Sequence, residues 1–378
     1  LQANPKWEQR SRVGAPEQIS RNYPGLGYID GLIGDEIVGW LATPTSPNVL
    51  PRARLCFDNG NMLEWSPTHY REDVCQAVGR PGIFGVHAPL ELVLQYGRQF
   101  IICDESGQEL TNGRFDLTNV AQPPARPRPE SCTIYLHIQK VGGTSINNLL
   151  HTSLPMSRFV AVYPKLGLSL GEFVSIPAAQ KAELDLVIGH TYFGLHKFIG
   201  RDARYVTLLR QPLQRVRSQV FHTLLNAGPM ISLEDQSVPL HRVVNEGLTE
   251  EFDNLQLRMV AGLASTEVPT GKVLHDHAEL AIFNLSSAFS CVGLLEKLHV
   301  DHAHICRALG LPPVSPPILN ATDQVALAPF ADELNKIDWG AVALRHQPEQ
   351  HMYDWVCQNL PHPNLDEPGP SELPAGTD

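Results

Sequence analysis

From Ser131 onward, short apolar runs alternate with longer amphipathic stretches, and this alternation constrains the fold most strongly. The runs Thr133–Ile138, Leu184–Ile188 and Arg204–Leu209 are typical of buried strands. The last run leads into a helical stretch from Pro212 to about Leu225, with proline suited to its first turn. Strands that alternate with helices form parallel sheets, whose ligands bind beyond the carboxyl ends of the strands. The sequence therefore predicts an α/β domain with a parallel sheet and crossover helices.

Proline-rich stretches divide the rest of the chain. Residues 119–130 are predicted to be a stiff linker, and residues 361–378, with four acidic residues and no Lys or Arg, a disordered acidic tail. The expected layout is an N-terminal extension at 1–23, an all-β accessory domain at 24–118, the linker, an α/β domain at 131–360, and the tail.

The accessory domain is predicted from short β-like runs separated by turn residues, a pattern typical of a small sandwich. The runs are Tyr28–Ile29, Glu36–Trp40, Arg54–Phe57, Phe84–His87 and Gln99–Cys103. The segments Gly27–Trp40, Tyr70–Val74 and Gly85–Pro89 resemble accessory β-domains attached to bacterial glycan-modifying enzymes.

Charge excludes several classes of partner. The chain of 378 residues has 29 Lys and Arg against 40 Asp and Glu, a net charge of −11. Nonspecific binding to nucleic acid or to anionic membranes needs a basic surface, so neither is expected.

Localisation is predicted from two absences and from the cysteine pattern. No apolar run reaches the roughly 18–20 residues of a membrane span, and no signal segment opens the chain. The seven dispersed cysteines are typical of reduced thiols. A cytoplasmic protein is expected, although Leu1 is not Met, which leaves an upstream signal or anchor open.

The first strand ends in Gln139-Lys-Val-Gly-Gly-Thr-Ser145, and a helix is predicted from Ser145 to His151. Glycines, hydroxyl groups, Lys140 and a helix N-terminus together make a phosphate-binding turn. The alternative is an ordinary strand-to-helix turn with a surface lysine. Because Lys140 precedes the glycines, a Walker-type nucleotide triphosphatase is not supported.

The other two strands also end in reactive side chains. His190 follows the second strand and is a candidate general base, although a lone histidine is more often a surface or core residue. Arg210 follows the third strand, and Ser218 lies two turns into the next helix, so the pair could clamp a phosphate. Arg215 and Arg217 are interpreted as a solvated helix face.

In this order and spacing, the three segments resemble the carbohydrate branch of the sulfotransferases that use 3′-phosphoadenosine-5′-phosphosulfate (PAPS), which includes the heparan sulfate 2-O-sulfotransferases. The family motifs PKTAGTS and RDPxxRxxSxY are similar to Gln139–Ser145 and Arg210–Val220. A Gly-His segment between them is similar to Gly189–His190. The resemblance covers roughly residues 131–360 and includes the later segments Asp253–Gly262 and Phe289–Glu296.

The resemblance implies a P-loop-like three-layer fold, PAPS as the donor and adenosine 3′,5′-bisphosphate as the product. It places the 5′-phosphosulfate on the residues of the first motif and the 3′-phosphate on Arg210 and Ser218. The first set is Lys140, Val141, Gly142, Gly143, Thr144 and Ser145. His190 falls at the position of the family's base, and Lys140 would stabilise charge on the leaving oxygen.

The chain departs from the family at four positions, where Gln139, Val141, Gln211 and Val220 replace Pro, Thr, Asp and Tyr. Val141 lacks a hydroxyl donor, and Gln211 changes the surroundings of Arg210. The segment Ile318–Asp323, where the family closes over adenosine, contains no Lys or Arg. Adenine contacts are therefore left open.

The acceptor is expected to be a carbohydrate or alcohol hydroxyl that is not densely anionic, since residues 131–378 have 17 basic and 25 acidic side chains. The segment from Gly228 to Glu250 is expected to be a loop-rich acceptor wall. Two alternatives stay open: a phosphoryl-transfer enzyme (kinase) on the same fold, which needs a metal-binding carboxylate at a strand end, and an inactive glycan-binding or scaffold protein.

No metal site is expected from the histidine pairs. His275 with His277, and His302 with His304, are two residues apart on probable helices and do not share a face.

Overall fold

The computed structural model describes residues 27–42, 49–79, 81–124, 129–142, 146, 150, 154–163, 167–311 and 324–360. The chain forms two compact units: unit 1 comprises Leu1–His137 and Gly143–Val206, and unit 2 comprises Ile138–Gly142 and Thr207–Asp378. The fold is mixed α/β, with a parallel sheet and a separate curled antiparallel sheet. The predicted extension at 1–23 and the predicted tail at 361–378 lie outside the described residues.

Unit 1 begins with an eight-stranded sheet. Its strands are β1 Gly27–Ile33, β2 Glu36–Leu41, β3 Ala53–Phe57, β4 Met62–Trp65, β5 His69–Tyr70, β6 Ile83–Pro89, β7 Gln99–Cys103 and β8 Glu109–Asp116, and two helices, α1 Glu72–Val78 and α2 Leu90–Tyr96, interrupt them. The strand order is β4-β3-β7-β8-β1-β2-β6-β5. Neighbours are antiparallel except β1 and β8, which form a parallel bridge at Tyr28 and Thr111. All five β-like runs predicted for this region lie in these strands.

Side chains that alternate between buried and half-buried pack one face of this sheet on a hydrophobic core. In β3 the side chains of Ala53, Leu55 and Phe57 point inward, between half-buried neighbours. Trp65 of β4 is fully buried in the same core, and its indole N–H donates to the His87 carbonyl at 2.8 Å. Burying each large apolar side chain contributes about 1.5–3 kcal/mol. Because successive side chains of a strand point to opposite faces of the sheet, this core appears in the sequence as apolar residues at every second position.

Specific hydrogen bonds join the eight-stranded sheet to the rest of unit 1. The Ser157 N–H donates to the Glu36 carboxylate at 2.7 Å. The Gln180 side chain bonds the Ser66 backbone twice, accepting from its N–H at 2.8 Å and donating to its carbonyl at 2.9 Å. Gln180 and Ser66 are both buried, so these bonds are shielded from water. The sheet is therefore docked on the following segment by directional contacts.

The remainder of unit 1 holds three parallel strands, β9 Cys132–Leu136, β10 Phe159–Val162 and β11 Leu186–Gly189, with the helices α3 Leu170–Ser175 and α4 Ala178–Ala182. Strand β12, Ala203–Leu209, begins in unit 1 and ends in unit 2. The three strands predicted in this region are confirmed as β9, β11 and β12. The helix predicted from Ser145 to His151 lies largely outside the described residues.

Unit 2 is mostly helical. Its helices are α5 Pro212–Ala227, α6 Leu240–Glu246, α7 Leu255–Ala261, α8 His275–Ala288, α9 Leu298–Ala308, α10 Gln324–Leu327, α11 Ala331–Asn335, α12 Trp339–Arg345 and α13 Gln347–Asn359, and its strands are β13 Met230–Leu233, β14 Gln236–Pro239 and β15 Phe289–Leu294.

Short 3₁₀ turns occur in both units, at Met156–Arg158, Leu195–Phe198, Glu250–Phe252, Leu295–Lys297 and Ala328–Phe330. The strand order of the second sheet is β10-β11-β9-β12-β15.

Two further sequence predictions have an outcome here. The helix expected from Pro212 is confirmed as α5. The prediction of a loop-rich segment from Gly228 to Glu250 was wrong, because β13 and β14 pair as an antiparallel hairpin and α6 follows directly. Within the described part of the chain, every helix is too short or too polar to cross a membrane.

Candidate functional site

Three reactive side chains lie at the carboxyl ends of adjacent parallel strands in unit 1. The last residues of β10, β11 and β9 are in register, and Tyr163, His190 and His137 follow them. The His190 ring centroid lies 4.7 Å from that of His137 and 4.8 Å from that of Tyr163. The Tyr163 hydroxyl is 2.7 Å from the His137 Nδ1. The register of the strands thus brings two histidines and a tyrosine together where α/β sheets bind ligands.

His190 has the tautomer of a general base. Its Nδ1 is 2.6 Å from the His137 carbonyl oxygen. Because a carbonyl can only accept, Nδ1 carries the hydrogen, and Nε2 is the nitrogen that can take a proton. Burial lowers the pKa of His190, and the His137 carbonyl opposes this only in part. The ring is therefore neutral at pH 7, the form that a base requires.

The segment after His190 is held by a buried tyrosine. The Tyr205 hydroxyl accepts from the backbone N–H groups of Gly194 at 3.0 Å and His196 at 3.1 Å. Tyr205 is only 1% exposed, so these bonds fix the path of the chain beyond β11.

Unit 2 contains a cluster of cations. Lys140 has left-handed backbone, with φ of 68°, and its carbonyl accepts from the Arg210 Nη1 at 3.2 Å. Burial lowers the pKa of Lys140, and the charges of Arg210 and Arg215 lower it further. A bound anion would relieve this repulsion, so the electrostatics of the cluster favour an anionic ligand.

Arg210 is fixed by a buried glutamine. The Arg210 N–H donates to the Gln256 side-chain oxygen at 2.8 Å, and the Gln256 amide donates to the Arg210 carbonyl at 2.8 Å. Gln256 also donates to Glu349 at 2.8 Å, and both side chains are fully buried. Burial lowers the pKa of Arg210, while the Glu296 charge opposes this. The main chain at this strand end is therefore rigidly placed.

The prediction that Arg215 and Arg217 form a solvated helix face was wrong. Arg215 is fully buried, and its Nη2 donates to the Glu251 carbonyl at 2.5 Å, while its Nε and Nη1 are without a hydrogen-bond partner among the described residues. The Arg217 guanidinium lies 5.0 Å from the Trp339 ring centroid, in cation–π contact. Arg215 stands three residues after the buried Pro212 and next to the buried Val216. That phase on α5 was the signal in the sequence that it faces the core.

The remaining residues of the first motif have different outcomes. The Val141 side chain is fully buried, so only its backbone could face a ligand. Gly142 has φ of 92°, and an added Cβ would lie 2.6 Å from Leu295, so the position requires glycine. Gly143, Thr144 and Ser145 lie outside the described residues.

At the second motif, Ser218 is half-buried on α5. Gln211 accepts from the Gln214 N–H at 2.8 Å as the N-cap of α5, so the residue in place of the family's Asp still caps the helix. The predicted adenine segment, Ile318–Asp323, lies outside the described residues.

Sequence reasoning missed Tyr163 and gave His137 no role. Their only signal was position, since each directly follows a short apolar run. It also missed the pair of buried supports Gln256 and Glu349, because they are 93 residues apart in the chain.

No protein-family model matches the chain, and no curated protein is similar to it in sequence at a significant level. A functional assignment must therefore depend on the motifs and on the geometry above.

Proposed function

We propose that the chain is a PAPS-dependent sulfotransferase that transfers a sulfuryl group to a hydroxyl of a carbohydrate or other alcohol. The observation that carries the proposal is the His190–His137 hydrogen bond, which leaves Nε2 of a neutral imidazole as the proton acceptor at a strand end. The P-loop-like fold is part of the same proposal. The three confirmed strands and their chemically distinct ends support it.

The cations of unit 2 fit a phosphorylated donor. Burial lowers the pKa values of Lys140 and Arg210, and the buried Nε and Nη1 of Arg215 have no hydrogen-bond partner among the residues that the structure describes. Buried unpaired donors and mutually repelling cations are stabilised by an anion. Lys140, the backbone of Val141 and Gly142, Arg210 and Ser218 are the described residues assigned to the donor, with Arg215 behind them as a source of positive field.

In the proposed reaction, PAPS supplies the sulfuryl group, and the bond from sulfur to the bisphosphate oxygen breaks as the bond to the acceptor oxygen forms. His190 removes the proton of the acceptor hydroxyl at Nε2. Its Nδ1–H stays on the His137 carbonyl and stabilises the imidazolium. Lys140 neutralises charge on the oxygen that leaves. The protein contributes mainly by placing the two reactants and by neutralising the charge that develops on the leaving oxygen.

The acceptor is proposed to be neutral or weakly charged. Residues 131–378 carry 25 acidic against 17 basic side chains, an unfavourable balance for a densely anionic chain. A cytoplasmic location is proposed with it, since the seven cysteines are scattered singly along the sequence, a pattern typical of reduced thiols.

A phosphoryl-transfer activity on the same fold is less well supported. It needs a metal-binding carboxylate at the carboxyl end of a strand. Asp185 instead precedes β11 at the opposite end, and its carboxylate lies 3.5 Å from Arg158 and 4.0 Å from Arg201. A carboxylate paired with two guanidinium groups is a poor ligand for a metal-bound nucleotide.

Calorimetric titration with adenosine 3′,5′-bisphosphate, and separately with ATP and Mg²⁺, tests the proposal. We expect binding of the bisphosphate only, with affinity reduced at least tenfold in Lys140→Ala and Arg210→Ala. The matched control is Arg242→Ala, which removes an exposed arginine of unit 2 paired with Glu246 at 2.7 Å. Equal affinity in all four proteins would undo the site assignment, and binding of ATP alone would favour the kinase. Binding of neither ligand would favour the inactive scaffold.

A further inference from the structure

A second cluster in unit 2 is unused by the proposed chemistry. His275 and Glu279 lie one turn apart on α8, and His351 lies on α13, which packs against α8. One carboxylate oxygen of Glu279 is 2.9 Å from the His351 Nε2 and 3.6 Å from the His275 Nε2. The centroids of the two imidazole rings are 4.2 Å apart. Three potential ligands from two helices therefore converge on one point.

The pairing that forms this cluster differs from the histidine pair considered in the sequence. His277 turns to its own helix end, where its Nδ1 accepts from the Leu274 N–H at 2.9 Å. His275, two residues earlier, faces Glu279 and His351. The i,i+4 spacing of His275 and Glu279 places both on one helix face, and the packing of α13 supplies the third group.

The distances suit a first-row transition metal. Ligand atoms at about 2.1 Å from a tetrahedral ion are about 3.4 Å from one another. The two measured N–O distances, 2.9 and 3.6 Å, lie on either side of that value, and all three ligand atoms are within 4.8 Å of one another. The side chains are 63%, 56% and 42% exposed for His275, Glu279 and His351, so small rotations can close the site.

We propose that His275, Glu279 and His351 bind one Zn²⁺ ion, with water completing the coordination. Two imidazoles and one carboxylate are a borderline-soft ligand set that favours Zn²⁺ over Mg²⁺ or Ca²⁺. The ion would fasten the first turns of α8 to α13. The site neither contains nor requires any residue assigned to sulfuryl transfer.

Equilibrium dialysis of the full chain without a polyhistidine tag against Zn²⁺ alone tests the site. We expect one saturable Zn²⁺ per chain and a rise in Tm on saturation, because the ion binds the folded state. His275→Ala, Glu279→Ala and His351→Ala should each weaken binding at least tenfold, since even changes outside the ligand shell cost 10–100-fold. His299→Ala, an exposed histidine on α9, is the matched control and should bind as the parent does.

A second readout keeps the proposal testable if a variant is poorly folded. Co²⁺ added to the parent protein should give visible d–d bands of a four- or five-coordinate ion, which Zn²⁺ then displaces. No saturable binding by the parent, or unchanged binding in all three ligand variants, would overturn the site. So would an equal loss in His299→Ala.

Discussion

The Nδ1–H of His190 is bonded to the carbonyl oxygen of His137 at 2.6 Å, across two neighbouring strands of the parallel sheet. The bond fixes the tautomer of the half-buried imidazole and leaves Nε2 as the nitrogen that can accept a proton. A histidine with only a structural role does not need this tautomer, with the hydrogen on Nδ1, at the end of a strand. This hydrogen bond therefore connects the register of the sheet to the proposed proton transfer.

Replacing His190 by alanine should lower turnover about 10²–10⁴-fold, the usual contribution of a positioned base. Affinity for adenosine 3′,5′-bisphosphate should stay within a few-fold of the parent, because the assigned donor residues are elsewhere in the chain. Steady-state rates and a binding isotherm measure the two effects. Near-normal turnover in His190→Ala, with His299→Ala as the reference, would remove His190 from the role.

The pH profile should show an acid limb below the ordinary histidine value. Burial lowers the pKa of His190, so the neutral, active base persists to a lower pH than an exposed histidine would allow. As the pH falls through the lowered pKa, the ring is protonated and kcat/KM declines. The limb should disappear from the residual activity of His190→Ala. A limb centred above 6.5 in the parent would contradict the assignment.

Glu36→Gln should destabilise unit 1. Although burial raises the pKa of the Glu36 carboxyl, bonds from His87 and Ser157 lower it from its ordinary 4.5 to about 2. The folded pKa is the lower one, so the carboxylate stabilises the fold above about pH 4.5, and this contribution is lost as the pH falls toward 2. The difference between the two pKa values corresponds to roughly 3 kcal/mol at pH 7.

Urea unfolding at several pH values between 2 and 7 measures this effect. In Glu36→Gln the stability should be lower at pH 7 and should change less between about pH 4.5 and 2. Glu109→Gln, which alters an exposed pair with Arg114 in the same sheet, is the control. An identical pH dependence in the parent and Glu36→Gln would show that this contact does not secure the sheet.

Asp253→Asn should destabilise unit 2 strongly. The Asp253 carboxylate accepts from the Arg258 Nη2 at 2.5 Å and from the Gly271 N–H at 2.9 Å, and both charged side chains are fully buried. Removing one charge leaves the guanidinium buried and uncompensated, which costs about 3–5 kcal/mol. Chemical denaturation measures the change. Glu246→Gln, which breaks an exposed pair with Arg242, should have little effect, and a similar small effect for Asp253→Asn would contradict the account.

The strands and the candidate base could be predicted because both are local properties of the sequence. An apolar run such as Leu186–Gly189 marks a buried strand, and the residue after it, His190, must emerge at the sheet edge. Tyr163 could not be paired with His190 in this way. The register that aligns β10 with β11 and β9 depends on tertiary packing, which a local pattern does not specify.

The other discrepancies also arise from packing. Arg215 was assigned to the surface because arginine is usually exposed, yet its phase on α5 places it among the buried residues of that helix. His351 is 76 residues from His275, so their approach depends on how α8 packs against α13. Local sequence indicates elements and their polar ends, whereas side chains from distant segments meet only once the fold is known.

Transfer of radiolabelled sulfate from PAPS to neutral oligosaccharides and small alcohols tests the central claim most directly. The account predicts label in at least one hydroxyl acceptor, dependent on the enzyme and reduced about 10²–10⁴-fold by His190→Ala. Incorporation that is absent for every acceptor, or equal in the parent and His190→Ala, would contradict it.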